Sequence, residues 1–245
     1  MILTIASLKG GVGKTTLTAY LAQALREKGK RVLVIDADHN GSLTFFYLPT
    51  ASEGDLEAAN VKHALLRKRA FAPVDQGGCI WPTEKGDFVP ATISLASVGL
   101  EIFQAADHGA VLGFRQALRR LDYDAILLDV HNALVYEMTA SLYAADLVLV
   151  PVTAMPWTVR GYLDIEREVQ KVHDSIGVGP RILAVPSMVS DIEAGALREL
   201  DIWQSTKAAI RRDKAIRDAA SAGRALREDT IAARAFAELA GEVVG

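Results

Sequence analysis

Lys9-Gly10-Gly11-Val12-Gly13-Lys14-Thr15-Thr16 is the stretch on which the fold turns. It follows Ile2–Leu8, a short and mostly apolar run that reads as a buried strand. It opens Lys14–Lys28, where Leu17, Leu21, Ala24 and Leu25 share one helical face before Gly29 stops the pattern. Glycines between a strand and a helix let backbone amides close around an anion, because no Cβ blocks the approach. The helix N-terminus adds unpaired N–H groups and the positive end of its dipole. In that setting the Lys14 ammonium can reach the outer phosphates of a nucleotide, and the Thr15 hydroxyl is placed to ligate Mg²⁺. A plain glycine-rich turn is the competing reading, and the Gly-Lys-Thr ending argues against it.

Beyond the loop the period changes again. Val32–Ile35 is a continuous aliphatic run of the kind a parallel strand covered on both faces requires, so strand, helix and strand make one βαβ unit within about thirty residues. Ala125–Leu128, Leu147–Val150 and Ile182–Val185 repeat the strand signal, separated by helical stretches near Ala110–Leu121, Tyr136–Ala144 and Trp157–His173. This alternation predicts an α/β fold: a doubly wound, mostly parallel sheet with helices on both faces. Leu56–Arg69 reads as helical within a loop-rich region, Thr50–Gly86. Two more helices are expected near Asp213–Ala222 and Glu228–Val243. No linker divides the chain, so a single domain over 1–245 is expected.

Composition narrows the function classes. The 245 residues carry 27 Lys+Arg against 30 Asp+Glu, net −3, which excludes a globally basic nucleic-acid binder but not a local basic patch. The lone cysteine, Cys79, can form no disulfide within the chain and no multi-cysteine metal site, which fits a reducing compartment. No apolar run approaches the roughly 18 residues of a membrane span, and Met1–Ala6 lacks the basic start of a secretion signal. A cytoplasmic protein is expected.

The remaining candidates for the site are acids. Asp36 and Asp38 close the second strand and Asp129 closes Ala125–Leu128, at the carboxyl ends of parallel strands where open α/β sheets bind ligands. Such residues are also common caps and turn formers. Beside a phosphate loop, Mg²⁺ needs oxygen ligands and hydrolysis needs a group that orients water. His39 and His131 are two histidines with no third ligand at metal-site spacing, and read as polar loop residues.

The generic pattern G-x-x-x-x-G-K-[ST] would put its first glycine at Leu8. What fits instead is Lys-Gly-Gly-x-Gly-Lys-Thr, with an additional lysine at Lys9. On these residues the chain resembles the ParA/MinD family of deviant Walker-A ATPases, P-loop NTPases that bind ATP and Mg²⁺. The resemblance implies that Lys9 reaches across a dimer interface to the partner's nucleotide and that Lys9, Lys14 and Asp38 serve catalysis. It implies that Gly10, Gly11, Val12, Gly13, Thr15 and Thr16 complete the ATP loop. It places Asp38 at the attacking water, Asp36 near the metal and Asp129, as the Walker-B acid, at the Mg²⁺ hydration shell. Asp87–Ala91 resembles the family's central strand, Ala144–Val152 its next strand, and Ile210–Gly223 its C-terminal element. Two departures are clear: His39-Asn40 stand where the family usually has Pro-Gln, and Val130-His131-Asn132 where it has a Pro-Pro.

Lys207, Arg211, Arg212, Lys214 and Arg217 meet only Asp213 and Asp218 locally, a net of +3 suited to phosphate backbones or to an ordinary solvated surface. The resemblance favours DNA. It implies an ATP-dependent homodimer that binds nucleoid DNA non-specifically and a ParB-like or cargo-adaptor partner that stimulates hydrolysis. Lys62, Arg67, Lys68 and Arg69 read as a solvated helix face. The tail Ala232–Glu242 is alanine-rich and acidic rather than basic and amphipathic, so no membrane contact is expected. An ATP-dependent small-molecule ligase or kinase of the dethiobiotin-synthetase type is the alternative on the same scaffold. An iron–sulfur electron donor is excluded by the single cysteine.

Overall fold

A computed structural model describes residues 1–244. Seven strands form one sheet in the order β3-β2-β4-β1-β5-β6-β7 among the described residues. They are β1 (Ile2–Ile5), β2 (Val32–Ala37), β3 (Asp87–Val89), β4 (Ala125–Val130), β5 (Leu147–Val152), β6 (Arg181–Val189) and β7 (Ile210–Arg211). Every pairing is parallel. The helices are α1 (Lys14–Glu27), α2 (Ser42–Tyr47), α3 (Glu53–Ala58), α4 (Val61–Leu65), α5 (Val98–Gln104), α6 (Ala110–Arg119), α7 (Tyr136–Ala144), α8 (Trp157–Ile176), α9 (Asp191–Glu199), α10 (Lys214–Ser221) and α11 (Ile231–Val244).

The strands are apolar on both faces because both faces are covered. Ile2, Leu33, Ile35, Ile126, Leu128, Val148 and Val150 point into one core with side chains of α4 to α9. Leu3, Ile5, Val32, Val34, Leu127, Leu147 and Leu149 point into the other, shared with α1, α2, α10 and α11. In the second core Tyr20 of α1 packs on Phe236 of α11 with ring centroids 5.6 Å apart. The alanine-rich tail is thus ordinary core packing. No described helix is long and apolar enough to cross a membrane.

Three expectations need correction. Asp87–Val89 is an edge strand rather than a central one, paired only with β2 within the sheet. Leu56–Arg69 is not one helix: Asn60 accepts from the Lys62 amide and starts α4 anew, so α3 and α4 are separate. The Lys62–Arg69 run is not simply solvated. Lys62 is largely buried and pairs with Glu101 of α5 at 2.7 Å, Lys68 joins the same carboxylate at 3.5 Å, and Arg67 pairs with Asp107.

The chain leaves β1 toward β2 and β3, returns to insert β4 beside β1, and then builds outward through β5, β6 and β7. The direction of winding therefore reverses around β1. The carboxyl ends of β1, β2 and β4 converge there, which is where doubly wound sheets place their ligands.

Candidate nucleotide site

The loop between β1 and α1 is held open by backbone conformation. Gly11 and Gly13 have φ of 73° and 90°. No side chain caps α1, whose N-cap is Gly13 itself, so its first amides remain available to an anion. A Cβ on Gly13 would also lie 3.3 Å from Ser187 Oγ, and that hydroxyl donates to the Val12 carbonyl at 3.1 Å. A Cβ on Gly10 would meet the Asn132 amide at 3.3 Å. We expect Gly13→Ala to destabilise the fold by about 1–2 kcal/mol, since a left-handed conformation is costly for alanine. The same substitution should weaken nucleotide binding; chemical denaturation and nucleotide titration of the variant check both.

Lys14 is the first residue of α1 and is half-buried. Burial lowers its pKa, while Asp129 and Asp38 oppose that shift. Its ammonium is thus a partly desolvated cation beside an open ring of amides, the arrangement a polyphosphate completes.

Asp129 near the end of β4 is buried, and its Oδ1 accepts from Thr18 Oγ1 at 3.4 Å. Burial pushes its carboxyl up to about 7, against the stabilising effects of Thr15, Lys14 and Thr18. Its other oxygen, Oδ2, has no hydrogen-bond partner. An orphaned carboxylate oxygen next to the Thr15 hydroxyl is a donor set that fits a hard cation such as Mg²⁺, directly or through water.

Asp36 is different. It is fully buried, and its Oδ2 accepts from the Thr44 amide and hydroxyl, both at 2.8 Å, while Oδ1 accepts from the Asp38 amide at 3.0 Å. Burial, with Asp129 nearby, raises its pKa to about 8. These bonds hold α2 and the following turn, with Asp36 in register beside Asp129 on the neighbouring strand. Thr44 passes the connection on by accepting from the Ala91 amide at 2.9 Å.

Asp38 lies beyond the strand end, in the space that faces Lys14. Its Oδ1 accepts from both the backbone and side-chain nitrogens of Asn40 at 2.9 Å. The loops that depart from the family pattern meet here: the His39 and His131 rings stack with centroids 4.3 Å apart, and His131 Nε2 is 4.0 Å from Asp38 Oδ1.

Comparison with known proteins gives this geometry its context. A family model described as an AAA domain matches residues 1–179. The chromosome-partitioning ATPase Soj of Thermus thermophilus is 32% identical over 188 residues, which are 77% of this chain and 68% of Soj. The chain belongs to the ParA/MinD family of ATPases. Among solved structures, apo McdA of Cyanothece superposes with a TM-score of 0.82 at 23% identity, covering 100% of this chain and 99% of McdA. A cobyrinic acid a,c-diamide synthase from Mycobacterium smegmatis, with ADP and magnesium bound, gives 0.79 at 25% identity and covers 98% and 92% of the two chains. ATP is accordingly the nucleotide of this ParA/MinD-family ATPase.

The remaining expected residues fall on two sides of the loop. Lys9 is partly exposed and runs over α8 of its own chain, where a Cβ on Gly161 would come within 3.4 Å of its stem. On the opposite side a cavity of about 430 Å³ opens against Gly13, Thr16 and Leu17. Met188, Ile210 and Ile216 give it apolar walls. Arg211, Arg212, Lys214 and Arg217, expected at a DNA surface, line its rim. Arg211 is held by Asp191 at 2.6 Å, and Arg217 lies 3.6 Å from Asp218. Arg212, Lys214 and Lys207 are exposed and make no ion pair among the described residues. Lys207 stands apart from the cavity, its amide donating to Glu242 at 2.7 Å.

Asn132, Ser187 and Met188 were not legible as site residues. Ser187 and Met188 are brought to the loop by β6, which lies two strands from β1. Met188 adopts a φ of 57°, a strained value for a methionine, at the wall of the cavity.

Proposed function

We propose that the chain works as a ParA-type positioning ATPase, with residues 1–245 acting as one unit. ATP closes two copies into a sandwich dimer, the dimer binds DNA without sequence preference, and a cargo-bound partner protein triggers hydrolysis and release. The observation that carries this reading is the loop itself: Lys9 and Lys14 bracket glycines held at positive φ, with Asp38 and Asp129 facing Lys14.

In this reading the amides of Gly10 to Thr16 and the Lys14 ammonium bind the β- and γ-phosphates. The Mg²⁺ that accompanies ATP neutralises charge on those phosphates, and Thr15 and Asp129 would hold it. Asp38 accepts a hydrogen bond from the attacking water. Its Oδ1 is oriented by Asn40, which leaves Oδ2 for that contact. The cavity beside Gly13 and Thr16 takes the nucleoside, where Met188 and Ile216 offer apolar contact to the base. Lys9, resting on α8, swings to the partner's nucleotide on dimerisation. No arginine finger stands in the phosphate-loop motifs, so unstimulated turnover is slow.

DNA contact then falls to Lys207, Arg212 and Lys214, whose charges are least neutralised by neighbouring acids, with Arg211 and Arg217 at the margin of the nucleotide cavity. This arrangement couples the two sites, because α10 carries both DNA-facing cations and cavity wall. Nucleoid association follows from such binding. The test is a titration of DNA against the chain with ATP, with ADP and without nucleotide. Binding with ATP only is expected. It should weaken as salt rises, and each phosphate contact removed by Arg212→Ala or Lys214→Ala should lower the log–log salt slope by about 0.9. Equal binding in all three states, or none in any, contradicts the DNA step.

The likeness to a cobyrinic acid a,c-diamide synthase favours one second reading, a small-molecule ATP-dependent ligase in which Asp38 faces a substrate instead of water. ATP turnover that depends on an added carboxylic acid and an amine donor, with no DNA binding, would select it.

A further inference from the structure

We propose that Asp38, His39 and His131 form a second cation site, selective for a transition-metal ion of the Zn²⁺ class, where the loops after β2 and β4 meet. One ligand atom from each of the three residues lies within 4.8 Å of the others. The rings stack at 4.3 Å with an interplanar angle of 27°, and His131 Nε2 lies 4.0 Å from Asp38 Oδ1. The Nδ1 atoms of both His39 and His131 are buried and have no hydrogen-bond partner. A buried imidazole nitrogen without a partner is costly unless something is bound to it, and a soft or borderline cation is one group that suits it.

The donor set is specific. Two imidazoles and one carboxylate bind Zn²⁺, Fe²⁺ or Co²⁺ and leave an open position, whereas Mg²⁺ prefers oxygen alone. Bonds of about 2.0–2.2 Å put ligand atoms roughly 3.4 Å apart, so the three groups need to close by little more than an ångström. Asn40, donating twice to Asp38 Oδ1, supplies the outer hydrogen bonds that orient the carboxylate. Buried Glu137 at the start of α7 adds a negative charge that both His39 and Asp38 feel. This site is separate from the Thr15 and Asp129 pair that fits Mg²⁺. If Asp38 orients water as proposed above, an ion here would slow hydrolysis without displacing ATP. That consequence rests on the ATPase mechanism, whereas binding of the ion does not.

The experiment uses the nucleotide-free full chain with excess Mg²⁺ present. Co²⁺ is added and followed by its visible absorption, and Zn²⁺ by competition with a chromogenic chelator. One ion per chain is expected, with the absorption intensity of a low-coordinate site. His131→Ala and His39→Ala should each weaken binding by at least about 10²-fold, while Lys14→Ala, which removes a cation facing Asp38 and His131, should bind the ion at least as tightly as the wild type does. Thermal unfolding of the ion-free variants checks folding; His131→Gln and His39→Gln replace any alanine variant that fails it, with the same loss expected. Absence of binding, or binding that survives loss of both histidines, overturns the site. The Lys14→Ala arm keeps that failure distinct from failure of the nucleotide reading.

Discussion

Lys14→Ala should lose ATP by about 10²–10³-fold or more while remaining folded. The size follows from what the lysine does. It is a partly desolvated cation, and truncating one partner of a buried charge pair costs about 2–5 kcal/mol, most of it from the phosphate left unmatched. Folding should survive because the lysine's own burial is unfavourable, as its lowered pKa indicates. Without the ammonium, Asp129 and Asp38 face an incoming triphosphate with one fewer compensating charge, so the loss should exceed that of an exposed lysine. Nucleotide titration followed by calorimetry gives the affinity, and circular dichroism shows whether the fold is intact. A variant that binds ATP within a few-fold of wild type would mean that the phosphates lie elsewhere.

Asp38→Ala should separate binding from turnover. Asp38 is not within the phosphate loop, and its oxygen is bonded to Asn40 rather than to any backbone group that shapes the loop. ATP affinity should therefore hold or rise slightly, because a negative charge near the phosphates is removed. Hydrolysis should fall by about 10²–10⁴-fold, the usual worth of a positioned acid–base group. With hydrolysis blocked, the ATP-bound dimer should accumulate and become visible by sedimentation. Asp38→Asn is the useful companion, since it keeps the turn geometry and removes only the charge. Normal turnover in both variants would remove Asp38 from the water-orienting role. Asp36→Ala should behave otherwise and disturb α2, because that carboxylate bonds Thr44 and the Asp38 amide.

The contrast between those two aspartates shows where sequence reading stops. Both stand at the end of one strand, and spacing alone gives each a plausible seat at the metal. What separates them is where the strand ends: Asp36 is inside β2 and bonds Thr44 and the Asp38 amide, whereas Asp38 lies one residue past the strand, where period-two alternation no longer sets its direction. The phosphate loop was legible because its chemistry is local, with strand, glycines, lysine and helix all contiguous. The strands of the central sheet were legible for a similar reason, since burial on both faces leaves unbroken aliphatic runs such as Val32–Ile35 and Leu147–Val150. Short elements were harder. Ser42–Tyr47, Val98–Gln104 and Asp191–Glu199 carry too few turns for a period to show, and β7 is only two residues. The cavity beside Gly13 could not be read because Ser187 and Met188 of β6 and Ile216 of α10 come to it from two distant parts of the chain. Nor could the meeting of His131 with Asp38 and His39 be read, since it comes about only when β2 and β4 pair side by side.

The most direct test is a calorimetric titration of the wild-type chain with a non-hydrolysable ATP analogue and Mg²⁺, run beside sedimentation of the same samples. One nucleotide bound per chain, together with a shift from monomer to dimer, is the expected result. A chain that takes up no adenine nucleotide at millimolar concentration, and stays monomeric throughout, would contradict the assignment of Gly10 to Thr16 as its triphosphate-binding loop.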